Sequence, residues 1–319
     1  MGCEGSVMGD PDNEYDSTWD DEYEEEQFGM MRVPKQRACT TPRNLQAARD
    51  MQNFRHRCRY HSHAYQSNGQ VTRQVSNRCQ NLLFYQNRIP SRPDDVYIEQ
   101  FHTYWFGDYT RLERVHSYIQ WLFPTQEPGV NNSAHVLRPA EIRHFEEDVT
   151  VKKRLLKSYV LMLDFYGIEL VSEETGKVQR AVNWKERFEN LNRNTHNNLR
   201  ITRILKCLGL LGFHHYQAPL VHFFLEETLV KGTLPRVKQS VLDYFIFAVL
   251  NRSERKELIR FAFRKLMIKM AESHCHGYLC LSDLTLPDSM SNLRASIILG
   301  TTVVVFTIFT INLHVNRAP

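Results

Sequence analysis

The chain lacks the common catalytic signatures. G-x-x-x-x-G-K-S/T, G-x-G-x-x-G, H-E-x-x-H and G-x-S-x-G are all absent. Their absence removes the sequence cues for a phosphate-cradling loop, a dinucleotide crevice, a helix-borne zinc hydrolase and a nucleophile elbow. The paired carboxylates Glu146-Glu147 and Glu226-Glu227 fall in helical patterns and read as solvated helix faces. The chain therefore reads as non-enzymatic. Paired C-x-x-C spacing is also missing. "HRCRYHSH" (His56, Cys58, His61, His63) and "HCHGYLC" (His274, Cys275, His276, Cys280) hold zinc-ligand residue types without zinc-site spacing. Among fourteen histidines such clusters arise by chance, so neither a metal nor a cofactor is expected. No secretory signal begins the chain. The cysteines are odd in number, seven, and irregularly spaced. Both facts argue against a disulfide framework and for a reducing compartment. The sequons at Asn131 and Asn251 are then chance matches. No repeat recurs at a period of about 20–50 residues.

Positive charge is absent from the first 31 residues. That arm carries eleven of the chain's 36 acids and none of its 40 lysines and arginines. The remainder keeps 25 acids against 40 bases, a balance of +15, although the whole chain stands at +4. Such a basic body favours acidic partners: nucleic acid, anionic lipid or an acidic protein face. The acidic arm can fold back and screen it.

Residues 1–40 are too acidic and too poor in aliphatic side chains to offset the entropy of ordering, which predicts a disordered arm. Residues 41–80 form a basic, weakly structured lead-in with a short helix over Leu45 to Arg57. From about Asn81 to residue 272 the pattern is all-α, roughly eight or nine helices with one minor β-hairpin in a single globular domain. "DDVYIEQFHTYWFGDY" and "YTRLERVHSYIQWLF" place apolar residues three and four apart. The second predicts one helix with Leu112, Val115, Tyr118, Ile119 and Leu122 on a face and Pro124 as its stop. Pro139 opens the next helix, and Gly167 closes the one after it. "IELVSEETGKVQRAV" predicts the hairpin, with Gly176 supplying a positive φ. In "HNNLRITRILKCLGLLGF", Ile201, Ile204, Leu205, Leu208 and Leu211 form an apolar face ended by Gly212. Arg200, Arg203 and Lys206 form a second face, read as solvated. Tyr244 to Leu250 is apolar all round and predicts the central buried helix. Asn251 and Glu254 stand at capping-box spacing ahead of the last helix.

The aromatic-rich "HSYIQWLFPTQEPGV" (His116 to Val130) is either a docking patch or the buried end of a helix. Helical spacing favours the core for Val115, Tyr118, Ile119 and Leu122, and sets Trp121 at its margin.

Residues 273–294 read as a linker. After Arg294 follows "ASIILGTTVVVFTIFTINLHVN", 22 residues with no Lys, Arg, Asp or Glu. Its apolar members, among them Ile298, Val304, Phe306, Phe309 and Leu313, offer about −3 to −7 kcal/mol of insertion energy. The length suits a bilayer. The run from Ala295 to Leu313 is thus a candidate membrane helix, a tail anchor with the body in the cytosol. Its β-branched content leaves a buried or aggregation-prone tail as the alternative. At the other end, Met1-Gly2-Cys3-Glu4-Gly5-Ser6 fits M-G-x-x-x-S/T. That makes Gly2 a candidate for myristoylation and Cys3 for palmitoylation.

Several segments carry a family resemblance. "NLLFYQNRIPSRPDDVYIE", "HSYIQWLFPTQEPGVN", "LMLDFYGIEL", "RAVNWKERFENLN", "HNNLRITRILKCLGLLG", "APLVHFFLEETLV" and "VKQSVLDYFIFAV" resemble the conserved domain of the opioid growth factor receptor family. "DSTWDDE" (Asp16 to Glu22) is similar to that family's N-terminus, and the Met-Gly start to that of its receptor-like branch. The resemblance spans about residues 81–266 and implies a non-enzymatic receptor for the pentapeptide Met-enkephalin. It further implies association with the nuclear envelope and nucleus, and restraint of cell growth. After about Leu266 the chain departs from the family's long polar tail. The resemblance supplies no ligand-binding residues. A peptide with a free amine, aromatic side chains and a carboxylate calls for an acidic group, an apolar groove and a basic group.

Overall fold

The structure is a computed structural model that describes residues 44–64 and 79–274. It is mostly helical. In chain order the elements are α1 (Leu45–Ala64), α2 (Gln80–Tyr85), α3 (Ile98–Gln100) running into a π-helical turn (Phe101–Trp105), α4 (Tyr109–Arg114), α5 (Ile119–Leu122), α6 (Pro139–Glu147), α7 (Val149–Phe165), β1 (Ile168–Leu170) and β2 (Val178–Arg180). They continue with α8 (Trp184–Arg193), α9 (Asn197–Leu210), α10 (Gln217–Leu225), α11 (Lys238–Ser240), α12 (Ile246–Ala248) and α13 (Arg252–His274). Contacts divide the chain into Phe54–Ala262 and a second unit formed by the chain on either side of it. In the second unit the side chain of Asn44 caps α1, accepting from the Ala47 amide at 3.0 Å. α1 runs on to Ala64, seven residues beyond the expected stop at Arg57.

Within 54–262, α7 shows why the sequence folds as it does. Asp148 caps it, Oδ1 accepting from the amides of Thr150 at 2.9 Å and Val151 at 3.2 Å. Val151, Leu155, Tyr159 and Met162 recur every three or four residues and are all buried, the apolar stripe of a core helix. Gly167 ends it at φ +76°. A Cβ there would meet the Cα of Trp184 at 2.7 Å, so the position needs glycine twice over. The chain then turns into the expected hairpin, with Ile168 opposite Arg180 and Leu170 opposite Val178. Gly176 sits at φ +71° in its turn. Pro139 stands at the first position of α6, and Asn251 caps α13 through the Ser253 and Glu254 amides.

Two expected helices differ. The single helix over Tyr109 to Leu122 is broken: Val115 is extended, at φ −83° and ψ 134°. Its carbonyl and that of Leu112 accept from the buried guanidinium of Arg200, each at 2.9 Å. A continuous helix would have consumed both carbonyls internally. The central buried helix is α9, where every residue except Leu199 and Arg203 is buried. The Tyr244–Leu250 segment instead passes through a π-helical turn (Val241–Phe245) and α12, leaving Tyr244 and Phe247 half-buried.

"HSYIQWLFP" is interior. Tyr118, Ile119, Trp121, Leu122 and Phe123 are all buried. Trp121 donates from Nε1 to the Arg92 carbonyl at 2.9 Å, and its ring lies 5.3 Å from that of Phe84. This stretch is core, not a docking patch. Among the described residues no helix is long and apolar enough to cross a membrane. The expected linker 273–294 begins inside α13, which runs to His274; its remainder, the candidate membrane segment Ala295–Leu313 and the acidic arm lie outside the described residues.

Candidate functional site

The basic face of α9 is not solvated. Arg200 is 5% exposed and Lys206 7%. Besides the two carbonyls, Arg200 bonds the Tyr118 hydroxyl, Asn197 Oδ1 and His116 Nδ1. Arg203 donates to the Phe123 carbonyl at 2.7 Å, and burial pulls its pKa down to about 10. Lys206 pairs with Glu127 at 2.7 Å. The apolar period of α9 is right, but its cations are spent on the irregular 112–127 segment. Glu227 likewise departs from the solvated reading. It is fully buried and bound by Arg180 at 2.9 and 2.5 Å, Lys231 at 2.9 Å and Thr233 at 2.6 Å. Although burial alone would raise its pKa, these bonds hold it below the ordinary carboxylate value. It ties β2 to the turn after α10 and serves structure. Glu146 and Glu147 are exposed, as expected.

A different arrangement stands around the π-helical turn after α3. Ile98, Phe101 and Trp105 point inward and are buried. Tyr97, Gln100 and Tyr104, each one residue earlier, form a parallel stripe that faces out. Tyr97 is 37% exposed, Tyr104 67% and Phe106, just beyond, 50%. Tyr97, Gln100 and Tyr104, with Asn87, Glu99 and Thr103, line an open depression of about 390 Å³. Asn87 adopts the left-handed conformation (φ +62°) that closes α2, its turn sealed by the Arg88 amide on the Leu83 carbonyl at 2.9 Å.

The electrostatics of the depression are mixed. Oε1 of Glu99 accepts from Arg154 Nη2, and this bond holds the Glu99 carboxyl below its ordinary value. Arg154 is itself fixed by donating from Nη1 to the Tyr85 carbonyl at 3.0 Å. Lys157, exposed three residues further along α7, adds a second positive charge felt by both Glu99 and His102. Behind the aromatic stripe, Nε2 of His102 lies 2.9 Å from Ser158 Oγ. Ser158 already donates to the Arg154 carbonyl at 3.1 Å, so it accepts from His102, and the ring proton sits on Nε2. Burial first, then Lys157 and Arg154, push the His102 pKa down to about 4. The pair is not nucleophilic machinery, because Ser158 is fully buried. The depression presents two tyrosines and one carboxylate, with cations of α7 nearby.

Of the residues singled out in sequence, Gly2, Cys3, Cys275, His276, Cys280 and the tail positions Ala295, Ile298, Val304, Phe306, Phe309 and Leu313 lie outside the described residues. Cys58 lies half-buried on α1, and burial drives its thiol up to about 12. Among the described residues no three His, Cys, Asp or Glu side chains converge as a metal site. Sequence reasoning misses Tyr97, Glu99 and Tyr104. Their signal is a doubled stripe: Tyr97, Gln100 and Tyr104 share the i, i+3, i+7 spacing of the buried Ile98, Phe101 and Trp105.

Fold and surface together define a mostly helical domain with an open, aromatic-rimmed depression beside α3. Residues 74–277 match the family described as the opioid growth factor receptor (OGFr) conserved region. The chain belongs to that family. It is 47% identical over 278 residues to the opioid growth factor receptor of Mus musculus, covering 80% of this chain and 42% of the relative. To the Homo sapiens receptor it is 50% identical over 224 residues, 70% of this chain and 32% of the relative. Opioid growth factor receptor-like protein 1 of Rattus norvegicus is 47% identical over 220 residues, 69% and 45% respectively. The chain thus spans less than half the length of these relatives. No solved structure matches.

Proposed function

We propose that this protein is a non-enzymatic receptor for an opioid peptide of the Met-enkephalin kind, acting in restraint of cell growth. The observation that carries the reading is the match across residues 74–277, with relatives named as opioid growth factor receptors at 47–50% identity. The open aromatic depression is the physical support. The helical domain over residues 81–272 would do the binding, behind the acidic arm 1–40 and the lead-in 41–80. The linker 273–294 would join it to a membrane segment at 295–313, with lipid on Gly2 and Cys3 as a second attachment. The domain would face cytosol or nucleus, at the nuclear envelope or perinuclear membrane.

Calorimetric titration of the full chain with Met-enkephalin tests the reading. The expected result is saturable heat at one peptide per chain. No heat at high peptide concentration contradicts it. The rival reading, a basic scaffold on nucleic acid, rests on the +15 balance outside the arm. Arg200 and Lys206, the face that reading would use first, are buried. It would be revived by affinity for RNA or DNA that falls steeply with salt.

A further inference from the structure

We propose that the depression between Tyr97 and Tyr104 is the peptide-binding site: Glu99 receives the peptide's N-terminal ammonium, the two tyrosines hold an aromatic side chain, and Lys157 faces the terminal carboxylate. The assignment rests on the peptide-receptor reading above and adds where and how the ligand is held.

Three observations carry it. The first is exposed aromatic surface in one place. Tyr97 and Tyr104 stand two helical turns apart on the same stripe, with Phe106 close by in sequence. Tyrosine supplies large, rigid contact area with a polar tip, which suits a binding surface better than a solvated one. The second is shape. The depression is open and shallow, with a volume of about 390 Å³. It accommodates an aromatic side chain with its backbone and leaves the rest of a short peptide on the surface. The third is charge. The Glu99 side chain is 57% exposed, and Arg154 engages only its Oε1. Arg154 offsets part of the Glu99 charge but fixes the carboxylate and leaves Oε2 as an exposed acceptor for an ammonium donor. Lys157, exposed one turn along α7 from Arg154, supplies a cation on that side of the helix. A short zwitterionic peptide with an aromatic residue at its amino end complements all three. A uniformly acidic or basic segment does not.

The test titrates the full chain with Met-enkephalin and with its N-acetyl form, which has lost the ammonium. The variants are Glu99→Gln, Tyr104→Ala and, as a distant exposed control, Val182→Ala. Thermal unfolding confirms that each is folded. Tyr104 is 67% exposed, so its loss leaves the core intact. Glu99→Gln should weaken binding about tenfold or more, the scale of one charged hydrogen bond. N-acetylation should weaken wild type by a similar factor and leave Glu99→Gln no weaker than before. Tyr104→Ala should also weaken binding about tenfold, and Val182→Ala should not. If wild type binds and both site variants bind as well, the site lies elsewhere and this assignment falls while the receptor reading stands. Failure of wild type itself to bind ends the receptor reading and this assignment with it. A third outcome is that Tyr104→Ala changes the assembly mass by light scattering while peptide affinity holds. The surface then serves a second copy of the chain, and the assignment is wrong.

Discussion

Arg200 holds open the break between α4 and α5. Its guanidinium satisfies the Leu112 and Val115 carbonyls, the Tyr118 hydroxyl, Asn197 Oδ1 and His116 Nδ1 from a nearly buried position. A planar fork can reach five acceptors, whereas an ammonium is a point donor. Arg200→Lys is therefore expected to leave buried carbonyls unpaired and to cost about 2–4 kcal/mol in urea unfolding. Lys153→Ala, on the exposed side of α7, should cost less than about 0.5 kcal/mol. His102 makes a pH prediction with a definite sign. Its folded pKa, about 4, lies below its unfolded value of about 6.5. The unfolded chain binds more protons between those values, so stability is full above 6.5 and falls as pH drops toward 4. The loss is up to about 3 kcal/mol, at ~1.36 kcal/mol per pKa unit. Unfolding of wild type and His102→Gln across pH 4–7 should show the slope in that window flattened in the variant. At this scale the sequence was least legible. A basic residue on an amphipathic helix reads as solvated unless one knows that broken backbone from another segment lies against it. Glu227 shows the same gap.

The elements themselves were written more plainly. Pro139, Gly167, Gly212 and Asn251 mark their boundaries through local chemistry that needs no tertiary partner: a missing donor, a positive φ, a side-chain cap. Two of the glycines can be told apart by their neighbours. Gly212 stands at φ +81°, and a Cβ added there would find nothing nearer than the Glu146 side chain at 3.5 Å. Gly167 stands at φ +76° with the Trp184 backbone at 2.7 Å. Gly212→Ala should cost about 1–2 kcal/mol, the left-handed penalty alone. Gly167→Ala should cost more, because α8 must also shift, and thermal unfolding would rank the pair. A reversed order would show that the hairpin corner is softer than its packing indicates. What local chemistry could not reveal were the π-helical turns at 101–105, 226–230 and 241–245 and the break at Val115. Each answers to packing or hydrogen bonding across the fold.

At the scale of the molecule, family membership was visible because the resemblance ran through many long segments, and the helical architecture because its apolar periods were strong. The exposed tyrosine stripe beside α3 was hidden by the same strength. The buried stripe Ile98, Phe101 and Trp105 explains the pattern around α3 so well that the outer tyrosines look like filler. Membrane attachment is a whole-chain property and needs a whole-chain test. Carbonate extraction of membranes should leave the full chain bound and release a chain ending at Asn292. Equal release of both would dismiss the tail as an anchor. The central claim, a peptide receptor that binds beside α3, is met most directly by tyrosine-selective carbon-13 NMR of the full chain during titration with Met-enkephalin. Tyr97 and Tyr104 resonances should move together and saturate, while those of the buried Tyr118 and Tyr159 stay in place. No tyrosine shift at saturating peptide, or shifts that spare Tyr97 and Tyr104, would contradict the account.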